Sequence, residues 1–256
     1  MCFELTQETR CKKVGSHYLS CLRCRPWLRR SVTSSHKRAM DQPKSLLGLR
    51  LSSPILSDYI AQLASRVSSS NATVPNVKSF SDAVYLNYFP LGLSLLFAPQ
   101  SGYNPSPDSH LSELNQDKLV LESIDIYNAP PAQPTSNSAR SRRAELAFSI
   151  FALLPLNLSL AAEAKDKDGK VISRPTALLV KPEMTGKDFV GTLHEPDRKG
   201  GGAGPSSGSI GIWCEWSNDG IMVEFGGDEA RGPQAWERGK DATWRVLTLF
   251  APGSRI

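Results

Sequence analysis

Residues 209–226, Ser-Ile-Gly-Ile-Trp-Cys-Glu-Trp-Ser-Asn-Asp-Gly-Ile-Met-Val-Glu-Phe-Gly, leave this chain few ways to fold. Ile210, Ile212, Cys214 and Trp216 alternate with Gly211, Trp213 and Glu215, and Ile221, Val223 and Phe225 alternate with Met222 and Glu224. Period-two alternation places each set on one face of a strand. Asn218-Asp219-Gly220 between them are residues that tolerate the positive φ of a tight turn. A three-residue loop would mix the faces, because a slip of one residue turns a whole side-chain set over. A two-residue loop would set Glu215 against Glu224, and like charges directly opposite repel. A four-residue loop over 217–220 pairs Trp216 with Ile221, Cys214 with Val223 and Ile212 with Phe225, and that is the register expected. Glu215 and Glu224 could in principle act as a paired acid and base. With no His, Cys or metal-ligand cluster beside them, they read instead as a solvated outer face.

At 256 residues the chain has room for one domain with tails. Its formal charge of +5 is unevenly placed. Residues 1–50 hold 11 of the 30 Lys/Arg and 3 of the 25 Asp/Glu, a balance of +8, which leaves 19 and 22, a balance of −3, for the rest. The basicity belongs to the leader, so the folded part lacks the electrostatic footprint of a nucleic-acid binder. Four of the five cysteines (Cys2, Cys11, Cys21, Cys24) are also in the leader, which is not a secreted disulfide framework. Cys214 is placed to pack as a small hydrophobe. No run of about 18 apolar residues marks a transmembrane helix, and residues 1–8 lack the apolar core of a secretory signal.

Residues 9–38 are rich in Arg, Lys and Ser and contain no acid, the composition of a mitochondrial transit segment. Glu4, Glu8 and Pro26 argue against that and favour a disordered leader over 1–50. Cys21-Leu22-Arg23-Cys24 has no second pair to complete a zinc site. Ser53-Pro54 opens a helix over 54–67 with a stripe of Ile55, Tyr59, Leu63 and Val67, followed by a polar linker to 78. The single domain is expected to span 79–252. Strands are expected at 84–89 and 91–97, broken at Pro90 and Gly92. Another is expected at 119–127, with a phase change at Glu122-Ser123 that marks a bulge. Others are expected at 146–154, 176–181 and 243–250. Residues 128–143 read as a disordered insertion ending in an Arg cluster. Asp166 to Gly169 reads as a turn too short to ligate calcium. Thr185 is a helix N-cap with Asp188 returning the bond, and Phe189 and Leu193 share the buried face of that short helix.

His194 ends this helix and is followed by Glu195, Pro196, Asp197, Arg198, Lys199, Gly200, Gly201 and Gly202. Backbone amides of Gly-rich loops can cradle phosphate. Here the glycines precede a strand rather than open a helix, and no P-loop spacing is present, so residues 195–202 read as a flexible loop. Asp197, Arg198, Lys199, Gly200, Gly201 and Gly202 are still the best candidates for a ligand or partner contact. Four of the five tryptophans fall in 213–244. They read as core packing of a small sheet rather than as a stacking platform.

The stretch Tyr85-Leu86-Asn87-Tyr88-Phe89-Pro90-Leu91-Gly92-Leu93-Ser94-Leu95-Leu96-Phe97 resembles the YLNYF-x-LG-x-x-x-LF motif of the phagosome assembly factor 1 family. The order of elements out to residue 250 is compatible, including a turn at His194-Glu195-Pro196, where the family has Gly for His194. Members of that family contain two related halves, of which this chain has room for one. The resemblance implies a non-enzymatic adaptor or regulator of autophagosome formation, cytoplasmic and phagophore-associated. Its implied partners are a β-propeller autophagy protein and a phosphoinositide-bearing membrane. It implies no catalytic residue and no cofactor.

The fold expected is α+β, a mainly antiparallel sheet of about seven strands with one or two packed helices. Beside the adaptor stand two alternatives. One is a small-ligand-binding protein or enzyme using 195–202 with Glu215 and Glu224. The other is a mitochondrial protein of unassigned role.

Overall fold

The computed structural model describes residues 42–129, 148–165, 169–202 and 211–253. The leader up to residue 41, most of the expected insertion, the turn at 166–168, and Ser209 and Ile210 lie outside the described residues. Four strands come first: β1 (Asn76–Ser79), β2 (Val84–Tyr88), β3 (Leu93–Pro99) and β4 (Leu119–Tyr127). Two short pairs follow, β5 (Leu156–Ser159) with β8 (Ala177–Val180), and β6 (Ala164–Lys165) with β7 (Val171–Ile172). Then come β9 (Arg198–Gly200), β10 (Trp213–Trp216), β11 (Ile221–Phe225) and β12 (Trp244–Phe250). Helices α1 (Pro54–Ala64), α2 (Gly186–Leu193) and α3 (Ala235–Arg238) complete an α+β fold. The main sheet runs β1-β2-β3-β4-β12-β11-β10-β9, and every neighbouring pair is antiparallel.

This sheet has eight strands where about seven were expected. One reason is that residues 198–200, read as flexible loop, pair with β10. Residues 148–154 form no strand; Ser149 and Phe151 only hang from Phe89 O and Tyr127 O by single backbone bonds. The hairpin register is the expected one, Cys214 opposite Val223 and Trp216 opposite Ile221. Only Gly220 in its loop takes positive φ, because Ser217–Asp219 wind into a 3-10 turn. The bulge expected near Glu122 is present: Leu96 faces Ser123 and Phe97 faces Leu121, leaving Glu122 extra.

One face of the sheet carries the core. Leu86, Leu93, Leu95, Ile124, Ile126, Leu247, Leu249, Val223 and Phe225 are all buried in one cluster with α1, α2 and the β5–β8 pair. Each such side chain contributes about 1.5–3 kcal/mol by leaving water. The domain therefore begins before residue 79. Leu56, Tyr59, Ile60 and Leu63 of α1 belong to the core, as does Leu46, and Arg50 bridges to Val120. The expected leader ends by residue 42, and the "linker" contributes buried Ala72 and strand β1. Asn128 is likewise part of the fold, its Nδ2 donating to Pro182 O at 2.7 Å and Trp244 O at 3.1 Å. The tryptophans divide: Trp216 and Trp244 are core, Trp213 is half-buried on the other face, and Trp236 is exposed.

The strand order is a palindrome about the β4/β12 seam, and the halves agree in detail. Each is a helix followed by a four-strand meander. Phe89–Leu91 makes a 3-10 turn closed by Gly92 at φ 64°, ψ 37°, and Ser217–Asp219 makes one closed by Gly220 at φ 61°, ψ 47°. The pairs flanking these turns, Tyr88 with Leu93 and Trp216 with Ile221, correspond. A bulge precedes Phe97 in one half and Phe225 in the other, with Glu122 and Arg245 as the extra residues. Tyr127 N–H donates to Gly92 O as Phe250 N–H donates to Gly220 O. By this correspondence Asp125 and Thr248, opposite each other on the seam, occupy equivalent positions, so their pair sits on the local two-fold axis. The main sheet is thus built from two halves of one backbone plan.

Candidate functional site

In the second half, α2 delivers the chain to β9. Thr185 N–H and Oγ1 both donate to Asp188 Oδ2 at 2.8 Å, which fixes the start of α2 and holds the Asp188 carboxyl below its ordinary range. Phe189 packs edge to face on Phe225 at 6.0 Å, while Val190 is exposed. His194 stops the helix at φ 68°, and its carbonyl accepts the Trp216 indole N–H at 3.0 Å.

The loop residues singled out from sequence are consumed by the fold. Asp197 Oδ2 accepts Ser217 N–H at 2.7 Å. Arg198 Nη1 donates to Glu215 Oε2 at 2.9 Å, and Ser217 Oγ donates to Glu215 Oε1 at 2.6 Å. Glu215 is only 1% exposed, so the solvated reading of it is corrected: β9 lays Arg198 across it. Glu224 stands opposite Trp213, not Glu215, and no acid–base pair forms. Lys199 reaches Glu195 Oε1 at 3.1 Å and lies 5.8 Å from the Trp236 ring centroid. A Cβ on Gly200 would come within 2.6 Å of the Trp213 ring. Gly201 and Gly202 have φ of 82° and 87°, and a Cβ on Gly201 would strike Gly211 O. Gly200 lets the edge strand pass close beneath Trp213, and Gly201 and Gly202 let the chain turn close against Gly211 and Ile212.

Two hollows adjoin this strand. A cleft of about 760 Å³ is bordered by His194, Glu195, Asp197, Trp216, Arg174 and Asp219. Its charged floor is closed on itself. Arg174 Nη1 and Nη2 fork onto the two oxygens of Asp219 at 2.6 and 2.7 Å, with side chains 4% and 2% exposed, and Ala161 N–H adds a third bond. Lys44 donates to Asp219 O, and burial, against the pull of Asp219, brings its ammonium down to about 8. The second hollow, about 440 Å³, is an apolar groove between α2 and α3 over Cys214 and Phe225, with Trp236 on its lip. Burial pushes the Cys214 thiol up to about 11, so it packs rather than reacts.

The first half is different. Its outward face holds a pocket of about 390 Å³ walled by Phe80, Tyr85, Phe89, Tyr127 and Phe148. The Tyr127 and Phe148 rings stack at 3.7 Å, and Phe89 meets Phe148 edge to face at 4.7 Å. Asn87, Ser94 and Asp125 form the floor. Ser94 Oγ donates to Asn87 Oδ1, and Thr248 Oγ1 donates to Asp125 Oδ1, both at 2.8 Å. Asp125 Oδ2 and Asn87 Nδ2 have no hydrogen-bond partner among the described residues. Burial pushes the Asp125 carboxyl up to about 6, the Thr248 bond opposing. This site was missed in the sequence, where 119–127 showed its apolar alternation. The available signal was a lone Asp at an outward position of an otherwise apolar central strand.

Among the described residues no group of three His, Cys, Asp or Glu is placed to hold a metal ion, and no helix is long and apolar enough to cross a membrane. The chain matches no family model, no curated protein and no solved structure.

Proposed function

We propose that this chain is a non-enzymatic adaptor or regulator that recognises its partner at the outward pocket of the first half. The observation that carries this reading is the unpaired Asp125 oxygen, recessed among five aromatic rings. Pockets with apolar walls and a few convergent polar groups are where ligands settle, and a perturbed carboxyl within one is a candidate functional group. The charges of 195–202, by contrast, are spent on one another, on the hairpin and on the Trp236 ring.

Its cellular setting is autophagosome formation in the cytoplasm, at the phagophore, with a β-propeller autophagy protein and a phosphoinositide-bearing membrane as partners. The support is the resemblance over 85–97. That stretch forms β2, the turn and β3, and it supplies Tyr85, Asn87, Phe89 and Ser94 to the pocket. The test is affinity capture from starved cells with the full chain and with Asp125→Asn. Recovery of an autophagy component by the first and its loss with the second supports the reading. Recovery of none, with normal autophagic flux after deletion, overturns it.

A further inference from the structure

We infer that the outward pocket of the first half takes an alkylated ammonium group, seated on the Asp125 carboxylate and bordered by the rings of Tyr85 and Phe89 and by the Tyr127–Phe148 stack. The inference rests on the reading of this pocket as the recognition site and names the chemistry it selects.

Three observations point the same way. First, Asp125 turns one oxygen to Thr248 and leaves the other for an incoming donor or cation, while no ion pair to it forms within the described residues. Second, the walls are aromatic. Ring faces carry negative quadrupole density that attracts cations, most strongly where water is excluded, and alkylated ammonium ions suit such cages because their methyl groups bury well. Third, the surroundings are acidic: Asp125, Asp82 and Glu122 act together on the Tyr85 hydroxyl, each raising its pKa beside the effect of burial. Among the described residues the one cation on the rim, Lys78 of edge strand β1, is exposed and forms no ion pair with Asp125. A free ammonium ion is held more strongly by water than an alkylated one, so the cage favours the alkylated ligand over lysine itself.

The acid limb follows from the same groups. Lys78 on β1 and Tyr85 on β2 share the pocket with Asp125, Thr248 on β12 bonds it, and Asp82 and Glu122 act on the Tyr85 hydroxyl from outside the lining, so none of them replaces its charge on the floor. Binding therefore weakens as pH falls through about 6, where Asp125 takes up a proton.

The test is titration of the full chain with choline and with Nε-trimethyl-lysine, followed by the ring signals of Tyr85 and Tyr127. The neutral isostere 3,3-dimethylbutanol is the control. The expected result is saturable binding of both cations, with the isostere at least about tenfold weaker. Asp125→Asn, which retains an acceptor for Thr248, should weaken choline by about tenfold or more. Lys78→Ala, on the exposed rim, should tighten it about twofold by removing a competing charge. Equal affinity for cation and isostere, or cation binding indifferent to both substitutions in a folded protein, overturns the inference. If Asp125→Asn abolishes partner capture while neither cation binds, the ammonium assignment fails and the recognition site stands. If the cations bind but partner capture ignores Asp125, the assignment stands and the adaptor reading fails. Phosphatidylcholine vesicles and a trimethyl-lysine peptide, compared at equal headgroup concentration, then tell a membrane source from a protein one.

Discussion

The two halves of the sheet share a backbone plan and differ in how each settles its outward polar groups. In the second half, Glu215 is locked by Arg198 and Ser217. Its counterpart in the first half is Asn87, whose side chain bonds only Ser94 among the described residues and faces a pocket. The turns differ in the same sense. Leu91 fills the core below the first, whereas the corresponding Asp219 is buried and neutralised by Arg174. Charge in the second half is consumed in fastening the small strands β6–β7 and the chain at Ala161 to the sheet. Charge in the first half, at Asp125, is left facing outward. On the proposed reading, one half serves as scaffold, its charges closed upon themselves, and the other as the recognition side, its charge left open.

The sharpest way to break this comparison is at the turn. Arg174→Met leaves Asp219 buried without its counter-charge and should cost about 3–5 kcal/mol in chemical denaturation. Adding Asp219→Leu, which copies Leu91, should recover most of that loss, because a buried pair and a well-packed apolar pair are often equivalent. Failure of the double variant to recover would mean that Asp219 has work beyond fastening. Next come the glycines that close the turns. Gly92→Ala and Gly220→Ala each force a side chain into positive φ and against a backbone carbonyl, Ser149 O or Phe250 O. Both should destabilise by more than about 1 kcal/mol, and by similar amounts. A tolerated substitution at one of them would break the equivalence of the halves.

A smaller effect is expected at the seam. With its carboxyl raised to about 6, Asp125 binds more protons folded than unfolded between pH about 4 and 6. Its contribution to stability is fully present below that window and falls as pH rises through it, the reverse of a salt-bridged acid. Asp125→Asn should flatten this slope and gain about 1–2 kcal/mol at pH 7. A cost of that kind on the open side is the one that the proposed role of Asp125 imposes on the fold. The smallest effect is in the helices. Tyr59–Leu63 of α1 and Phe189–Leu193 of α2 present matching pairs to the sheet, but the Tyr59 hydroxyl is buried with no partner among the described residues. Tyr59→Phe, which makes the first half more like the second, should be neutral or stabilising by up to about 1 kcal/mol in thermal melts.

Those parts of both halves whose signals are local were legible in the sequence. Alternation and charge repulsion fix the register of β10 and β11, the phase change marks the bulge at Glu122, and Thr185 with Asp188 marks the start of α2. What was not legible depends on distant pairing. Nothing near Glu215 announces Arg198, because β9 joins β10 across a glycine-rich stretch whose composition reads as a loop. Asp219 reads as a turn residue until Arg174 arrives from β7's far side. The pocket at Asp125 needs four strands and Phe148 to assemble. The two-fold relation hides because the shared positions are few: Tyr85 and Trp213, Tyr88 and Trp216, Gly92 and Gly220, Phe97 and Phe225.

The division between a closed and an open half can be tested directly by titrating choline into the full chain with aromatic side chains observed individually by NMR. Tyr85, Tyr127 and Phe148 should move with one saturation curve, while Trp213 and Trp236 stay still. Movement of Trp213 and Trp236 with Tyr85 and Tyr127 unchanged would contradict it, and would place recognition on the half that this account holds to be scaffold.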